Sequence, residues 1–149
     1  MKYALFALLF ALVISCAKEK KVDYATKNDQ EITAYIAKKN LKAQKAASGL
    51  YYIIENPGTG AQPTPSSEVT VAYKGYYTDG TVFDQSNAQG IRFPLNGVIK
   101  GWTEGIAYFK EGGNGLLLIP AHLGYGSATY SGIPGGSVLI FDVKLITVH

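Results

Sequence analysis

The sequence predicts one antiparallel α+β domain of about five strands around a central helix, preceded by a helical arm. A chain of 149 residues has room for a single domain of ordinary size. Its 17 glycines and 12% aromatic residues, with only 17% charged residues, favour a compact fold rich in turns. Apolar residues repeat at helical spacing before Leu50 and follow a strand-like pattern for most of the chain after it.

The net charge of +3 is divided unevenly along the chain. Residues 17–48 contain eight Lys and four acidic residues, a balance of +4, whereas residues 49–149 contain five Lys or Arg and seven acidic residues, a balance of −2. The basic character therefore belongs to the arm. A slightly acidic main domain has no basic face that could follow phosphates, so nucleic acid is not expected as a partner.

The N-terminus has the pattern of an export signal. Lys2 precedes an apolar run over residues 3–14, which fits the core of a signal peptide and falls short of the ~20 residues that span a bilayer. The alternative, a short buried helix, would place an all-round apolar segment at an extreme terminus. Cys16 is the chain's one cysteine, so neither an internal disulfide nor a redox pair is expected.

The letters "VISC" that end at Cys16 resemble a bacterial lipobox, whose cysteine is lipidated and becomes the first residue of the mature protein. The resemblance implies a lipoprotein signal peptide over residues 1–15, a lipid-anchored tether with a short amphipathic helix over 16–48, and the main domain over 49–149. Acyl chains on Cys16 would hold the protein in a lipid bilayer. The expected location is the cell envelope, at the outer membrane of a Gram-negative bacterium facing the periplasm or at the cell surface.

The arm is predicted to contain one helix. Asn28 followed three residues later by Glu31 is a helix-start pattern, and apolar residues then repeat at helical spacing from Ile32, so the helix is expected to run to Asn40. Its single apolar stripe could pack on the chain's own domain or on a partner.

The main domain reads as a series of strands. The runs "LYYIIE" and "EVTVAYKGYY" have strand character, and an Asp-Gly turn at 79–80 predicts that the next strand pairs with the second run as a hairpin. Further apolar runs are "IRFPL", "GNGLLLIP" and "VLIFDVKLITV". In the last run, alternation places on one face Leu139, Phe141, Val143 and Leu145.

The central helix is predicted from the stretch that holds the chain's one tryptophan. Ile99, Trp102 and Ile106 stand at positions i, i+3 and i+7, so a short helix would turn all three toward one surface. Gly101 and Gly105 flank this tryptophan.

The usual catalytic patterns are absent from the sequence. His122 and His149 are the two histidines and are expected to be surface or loop residues. The spacing of the residues indicates no zinc-ligand set, no Cys/His nucleophile pair and no Ser-His-Asp arrangement. No glycine-rich stretch opens a helix after a strand, so a nucleotide site is not supported. We therefore expect neither a metal nor a cofactor.

What remains distinctive is a set of apolar and aromatic residues in glycine-rich surroundings. Spacing alone fits both an ordinary core and a ligand pocket for this set, which comprises Tyr73, Phe83, Val98, Ile99, Trp102, Tyr125, Ile133 and Phe141.

Four stretches resemble, in order and approximate spacing, the FKBP family of peptidyl-prolyl cis/trans isomerases over about residues 49–148. They are "VTVAYKGYYTDGTVFDQS", "FPLNGVIKGWTEGI", "LLLIPAHLGYG" and "LIFDVKLI". The resemblance implies an FKBP-like antiparallel sheet of five to six strands wrapped on a short central helix. It also implies non-covalent isomerisation of proline-containing unfolded or exported polypeptides, and binding of tacrolimus-like macrolides.

The resemblance assigns a role to each matching residue of a pocket for a proline ring. Trp102 would be the floor. Tyr73, Phe83 and Phe141 would line the walls, with Asp84 at the polar edge. The Tyr125 hydroxyl would donate a hydrogen bond from a mobile loop.

The rim and the departures from the family pattern complete this prediction. Val98 and Ile99 would form the rim, with the Ile99 N–H holding a substrate carbonyl. Ile91 stands where the family usually has a phenylalanine, which would leave one wall aliphatic. Ile133 lies in "IPGGS", where the family usually has a Pro-Pro stretch, and is expected in a looser loop. Arg92 follows Ile91 and is not a clear counterpart of the arginine that often pairs with the family's aspartate.

Three functions stay open from the sequence. The first is a tethered proline isomerase that assists the folding of exported proteins. The second is a chaperone or binding module of the same fold with little or no isomerase activity. The third is a small lipoprotein whose aromatic residues, Trp102 included, are ordinary core.

Overall fold

Residues 20–149 are described by a computed structural model of the chain. The predicted signal peptide and Cys16 lie outside these residues. The described part contains two α-helices, α1 Tyr24–Lys38 and α2 Lys100–Ile106, two short 3-10 helices, and seven strands: β1 Gln44–Lys45, β2 Tyr51–Asn56, β3 Glu68–Tyr76, β4 Val82–Gln85, β5 Ile91–Pro94, β6 Asn114–Ile119 and β7 Leu139–Val148.

The strands form one antiparallel sheet in the order β1-β2-β6-β7-β3-β4, with β5 also paired to β3. One edge of β3 is paired with β7, and the other is shared by β5 and β4. Val69 faces Phe93 of β5, and Gly75 faces Asp84 of β4. The antiparallel α+β class is confirmed. The sheet has more strands than expected. Strand β1 was not predicted because it is only two residues long and carries no apolar pattern.

Helix α2 packs closely on one face of this sheet. A Cβ at Gly101 would lie 2.6 Å from Ile119 Cγ2, and a Cβ at Gly105 would lie 2.6 Å from Leu117 Cδ2. Only glycine allows this approach, which brings Trp102 down onto the sheet. The predicted common face of β7 is confirmed, because one core cluster under α2 contains Leu139, Phe141, Val143 and Leu145.

Helix α1 packs on the opposite face. Its Ile32 is fully buried in a second cluster with Leu118 of β6 and Ile140 of β7. Successive strand residues point to opposite faces, so Leu118 and Ile140 point away from α2. The apolar stripe of the arm therefore packs on the chain's own domain. Within residues 20–149, neither helix is long and apolar enough to cross a membrane.

The predicted start of this helix is wrong. The helix begins at Tyr24, and Asp23 caps it by accepting hydrogen bonds from the Thr26 N–H at 3.2 Å and the Thr26 hydroxyl at 2.6 Å. It ends at Lys38 and not at Asn40. Because Asp23 accepts the hydrogen bond at the start of the helix, the Asn28 side chain is not needed as a cap. Asn28 is instead an interior residue of α1 and is fully buried.

Candidate active site

A cavity of about 520 Å³ opens beside α2, and it collects most of the residues predicted for a pocket. Ligand sites of small molecules and peptides are commonly apolar cavities of this size with a few polar groups. The lining consists of Tyr73, Phe83, Asp84, Phe93, Gly97, Val98, Ile99, Trp102, Tyr125, Tyr130 and Phe141.

Trp102 is held among aromatic rings and is only 4% exposed. Its ring centroid lies 5.0 Å from Tyr73, 5.5 Å from Phe93 and 5.3 Å from Phe141, at interplanar angles of 84°, 80° and 84°. Nearly perpendicular contacts of this kind are favourable for aromatic pairs. The indole Nε1–H is buried and has no hydrogen-bond partner within residues 20–149. The fold therefore uses Trp102 for its apolar surface and not for a hydrogen bond.

The Phe83 wall depends on a glycine in β3. Phe83 and Phe141 meet at 5.5 Å between ring centroids with an interplanar angle of 89°. A Cβ at Gly75 would lie 2.7 Å from each of these rings. Gly75 thus leaves the space in which the two phenylalanines meet over the sheet.

Asp84 supplies the one charged side chain of the lining. Its Oδ2 accepts a hydrogen bond of 2.8 Å from the Tyr73 hydroxyl. Burial and, next, this carboxylate raise the pKa of Tyr73 to about 12, so the phenol is neutral at physiological pH. Arg92 does not pair with Asp84, because its guanidinium lies 2.8 Å from Glu68 instead.

Val98 and Ile99 border the cavity where the chain enters α2. The Ile99 carbonyl accepts from the Trp102 N–H at 2.9 Å and from the Thr103 N–H at 3.2 Å. The Ile99 N–H makes no hydrogen bond within the part of the chain that the structure describes. It is available as a donor beside the aromatic floor.

Tyr125 and Tyr130 form a stacked pair on the loop between β6 and β7. Their ring centroids are 5.1 Å apart and the rings are 9° from parallel. They keep 38% and 59% of their surface exposed, so both rings reach the solvent side of the cavity. Burial and, next, the charge of Asp84 raise the pKa of Tyr125. Tyr130 was not predicted as a site residue, because only the path of the loop places it on Tyr125.

The assignment of Ile91 to a pocket wall is wrong. Ile91 is 42% exposed and does not line the cavity, whereas Phe93, two residues later on the same face of β5, does. The aromatic ring of Phe93 reaches Trp102 from the end of β5 that is nearest α2. The wall is therefore aromatic and not aliphatic. The period-two alternation of "IRFP" places Phe93 on the same face as Ile91, but it does not show which of the two lines the cavity.

Ile133 lines a neighbouring cavity of about 460 Å³ and not the aromatic one. The two cavities share Phe83, Asp84, Tyr125 and Tyr130. Ile133 is fixed by two backbone hydrogen bonds with Tyr130, of 2.9 and 3.0 Å. This part of the loop is thus a small hydrogen-bonded turn.

Other candidate sites are less suited to an apolar ligand. A cavity of about 550 Å³ has Tyr73 as its one aromatic lining residue and carries four charged side chains, Glu55, Lys74, Asp142 and Lys144. Neither His122 nor His149 lines any of these three cavities. The Nε2 atom of His122 lies 2.7 Å from the Ser48 carbonyl oxygen, and that of His149 lies 2.9 Å from the Thr70 hydroxyl. Residues 20–149 hold no group of three or more His, Cys, Asp or Glu side chains that could bind a metal.

The family model of FKBP-type peptidyl-prolyl cis-trans isomerases matches residues 60–146, which include every residue that lines the aromatic cavity. The chain belongs to the FKBP family. Among FKBP relatives, the FkpA isomerase of Escherichia coli K12 is 41% identical over 142 residues, covering 93% of this chain and 53% of that protein. FkpA of Neisseria meningitidis serogroup B is 42% identical over 137 residues, covering 89% of this chain and 50% of that protein.

Solved structures of peptidyl-prolyl cis-trans isomerases share the fold. The crystal structure of FkpA from E. coli superposes with a TM-score of 0.74 at 40% identity, covering 83% of this chain and 60% of that chain. A peptidyl-prolyl cis-trans isomerase from Pseudomonas syringae pv. tomato superposes with a TM-score of 0.71 at 31% identity, covering 86% of this chain and 97% of that chain. The chain spans about half the length of the curated FkpA relatives.

Proposed function

We propose that the chain catalyses cis/trans isomerisation of X-Pro bonds, with the proline ring seated on Trp102 in the aromatic cavity. The observation that supports this most is the combination of a buried indole floor with aromatic walls and a free backbone donor, the Ile99 N–H, beside it. The polypeptide substrates are proline-containing unfolded or exported chains. Family membership adds support for tacrolimus-like macrolides as ligands of the same cavity.

The chemistry needs no nucleophile. Rotation about an X-Pro bond is slow because it breaks amide resonance, a barrier of ~18–20 kcal/mol. The planar amide is more dipolar than the twisted one, so a dry aromatic cavity solvates the planar ground state poorly and disfavours the twisted state less. A ~10⁶-fold acceleration requires only ~8 kcal/mol of such differential stabilisation.

Two donors orient the substrate in this mechanism. The Ile99 N–H holds a substrate carbonyl beside the floor, and the Tyr125 hydroxyl donates a second hydrogen bond from the loop. Asp84 engages the Tyr73 hydroxyl at 2.8 Å, which keeps that wall in place. Each group acts by binding the substrate, and no proton is transferred.

The test is the isomerisation of a short Leu-Pro peptide by the purified full chain in mild detergent, without a coupled protease. Tyr125→Phe and Trp102→Leu are expected to lower kcat/KM by about tenfold or more, since each removes a contact made during rotation. Tyr52→Phe is the matched control, because its hydroxyl bonds to Gln44 outside the cavity. A folded parent without turnover would contradict the proposal and favour a binding module of the same fold.

We also propose that the chain is tethered to the cell envelope through lipid on Cys16, at the outer membrane facing the periplasm or at the cell surface. The support is the apolar run that ends at "VISC" and the basic stretch after it. Mass spectrometry of the protein from its native membranes tests this. A Cys16→Ala variant should be released from the membrane fraction, and a free thiol on Cys16 of the native protein would contradict the proposal.

A further inference from the structure

Asn28 closes a ring of four hydrogen bonds between the arm and the loop that carries Tyr125. The Asn28 Oδ1 accepts from the Ala121 N–H at 2.9 Å, and the Ala121 carbonyl accepts from the Gly126 N–H at 2.8 Å. The Gly126 carbonyl accepts from the Gly136 N–H at 2.9 Å, and the Gly136 carbonyl accepts from Asn28 Nδ2 at 2.9 Å. Asn28 is the one side chain in the ring.

The ring fixes the backbone next to the active-site phenol. Gly126 directly follows Tyr125, and both the N–H and the carbonyl of Gly126 are engaged in the ring. Ala121 stands at the start of the loop and Gly136 at its end. The ring therefore holds together the start, the middle and the end of the segment that presents Tyr125 and Tyr130 to the cavity.

The surroundings of Asn28 make this contact a specific one. It is the one buried polar residue within residues 20–149, with 0% of its surface exposed. A buried amide is costly unless its donors and acceptor are satisfied, and here each end of the amide has a partner. Tyr24, one helical turn earlier, rests against the same Gly136, where any Cβ would overlap the tyrosine ring. Helix α1 thus docks on the loop end through two side chains.

We propose that Asn28 is a positioning residue that holds Tyr125 in place for the isomerase reaction, so that the arm helix takes part in building the site. Asn28 lies outside residues 60–146, which the family model matches. The role in the reaction rests on the function proposed above, whereas the role in ordering the loop does not.

The first measurement is amide hydrogen exchange by NMR on the full chain in detergent. Asn28→Ala removes both side-chain bonds, and Asn28→Asp keeps an acceptor for Ala121 but, when ionised, has no donor for Gly136. In both variants the Gly126 and Gly136 amides are expected to exchange about tenfold faster relative to the Leu117 amide of β6, because the ring is opened. Ile32→Val, on the same buried face of α1, is the matched control and should leave this ratio within about twofold.

The second measurement is turnover in a double-mutant cycle. Asn28→Asp is expected to lower kcat/KM by about tenfold in the parent and by less than about twofold in Tyr125→Phe, because both changes act through the same phenol. A merely structural role would give equal effects in the two backgrounds.

The two measurements separate the possible failures. Unchanged exchange at Gly126 relative to Leu117 in both Asn28 variants would overturn the positioning role, whatever the activity. A parent without turnover would overturn the proposed function, and the exchange ratio would still decide whether Asn28 orders the loop. Equal losses of turnover with and without the Tyr125 hydroxyl would show that Asn28 does not act through Tyr125.

Discussion

The Tyr73 hydroxyl and the Asp84 carboxylate meet at 2.8 Å on the wall of the aromatic cavity. Burial is the first cause and Asp84 the second that raise the pKa of Tyr73 to about 12. Asp84→Asn should lower this pKa but leave it above the ordinary value near 10, because burial remains. NMR titration of ring-labelled tyrosine, with Tyr73→Phe to assign the signal, measures it. A Tyr73 pKa that stays at about 12 in Asp84→Asn would show that the carboxylate does not contribute to the raised pKa.

The same pair predicts how stability depends on alkaline pH. The folded-state pKa of Tyr73 lies above that of an unfolded tyrosine, so the folded state binds the proton more tightly. This contribution is complete below about pH 10 and is lost as the pH rises toward 12. The midpoint of thermal unfolding should therefore fall more steeply over this window in the parent than in Tyr73→Phe. Parallel curves would contradict the prediction.

Substitutions of Trp102 should separate activity from stability. Its Nε1–H has no partner in the described part of the chain, so Trp102→Phe loses no hydrogen bond and only part of the packing. We expect a stability loss of about 1–3 kcal/mol in guanidinium unfolding and partial activity. Trp102→Leu also folds but loses the aromatic floor, with kcat/KM reduced about tenfold or more. Equal activity in the two variants would show that an aromatic floor is not required.

Phe93 and Ile91 give a matched pair on one strand. Phe93→Ala should lower kcat/KM for a Leu-Pro peptide by about tenfold, because the ring packs on Trp102 and lines the cavity. Ile91→Ala should leave kcat/KM within about twofold, because Ile91 is exposed and outside the lining. The reverse order of effects would restore Ile91 as the wall residue.

The contact of α2 with β6 predicts a cost for any side chain at Gly105. The Cβ of Gly105→Ala would lie 2.6 Å from Leu117 Cδ2, so we expect a net destabilisation of about 1–3 kcal/mol despite the better helix propensity of alanine. Guanidinium unfolding measures the change. Adding Leu117→Val, which shortens the opposing side chain, should make the cost of Gly105→Ala smaller. Strict additivity of the two changes would mean that the overlap is relieved elsewhere.

The parts of the fold that depend on local periodicity were predictable. Helix α2 follows from the spacing of Ile99, Trp102 and Ile106, and the buried face of β7 follows from alternation. The start of α1 was predicted wrongly, because Asn28 and Glu31 match a helix-start pattern although Asp23 caps the helix. Only the hydrogen bonds of Asn28 to the loop between β6 and β7 show why this residue lies within the helix and not at its start.

The candidate lining was predictable where a residue matches the family motif, and two residues of the lining, Phe93 and Tyr130, were missed. Ile91 and Phe93 share a face of β5, so the sequence pattern alone does not distinguish which one meets Trp102. Tyr130 reaches the cavity through the path of the loop after Tyr125, a tertiary feature without a periodic signal. The places of Phe93 and Tyr130 in the lining therefore became clear only from the three-dimensional structure.

The division of one β3 edge between β4 and β5 has a consequence for the proposed work on unfolded chains. An exposed strand edge is a template on which an extended polypeptide can add and aggregate. Here the outer strands are two to four residues long, and the two that cover β3 are separate pieces. Within residues 20–149, the edge of β3 that β4 and β5 share therefore offers an extended chain no single continuous strand to add to. With the function proposed above, this edge would not seed aggregates of the unfolded chains that the cavity binds.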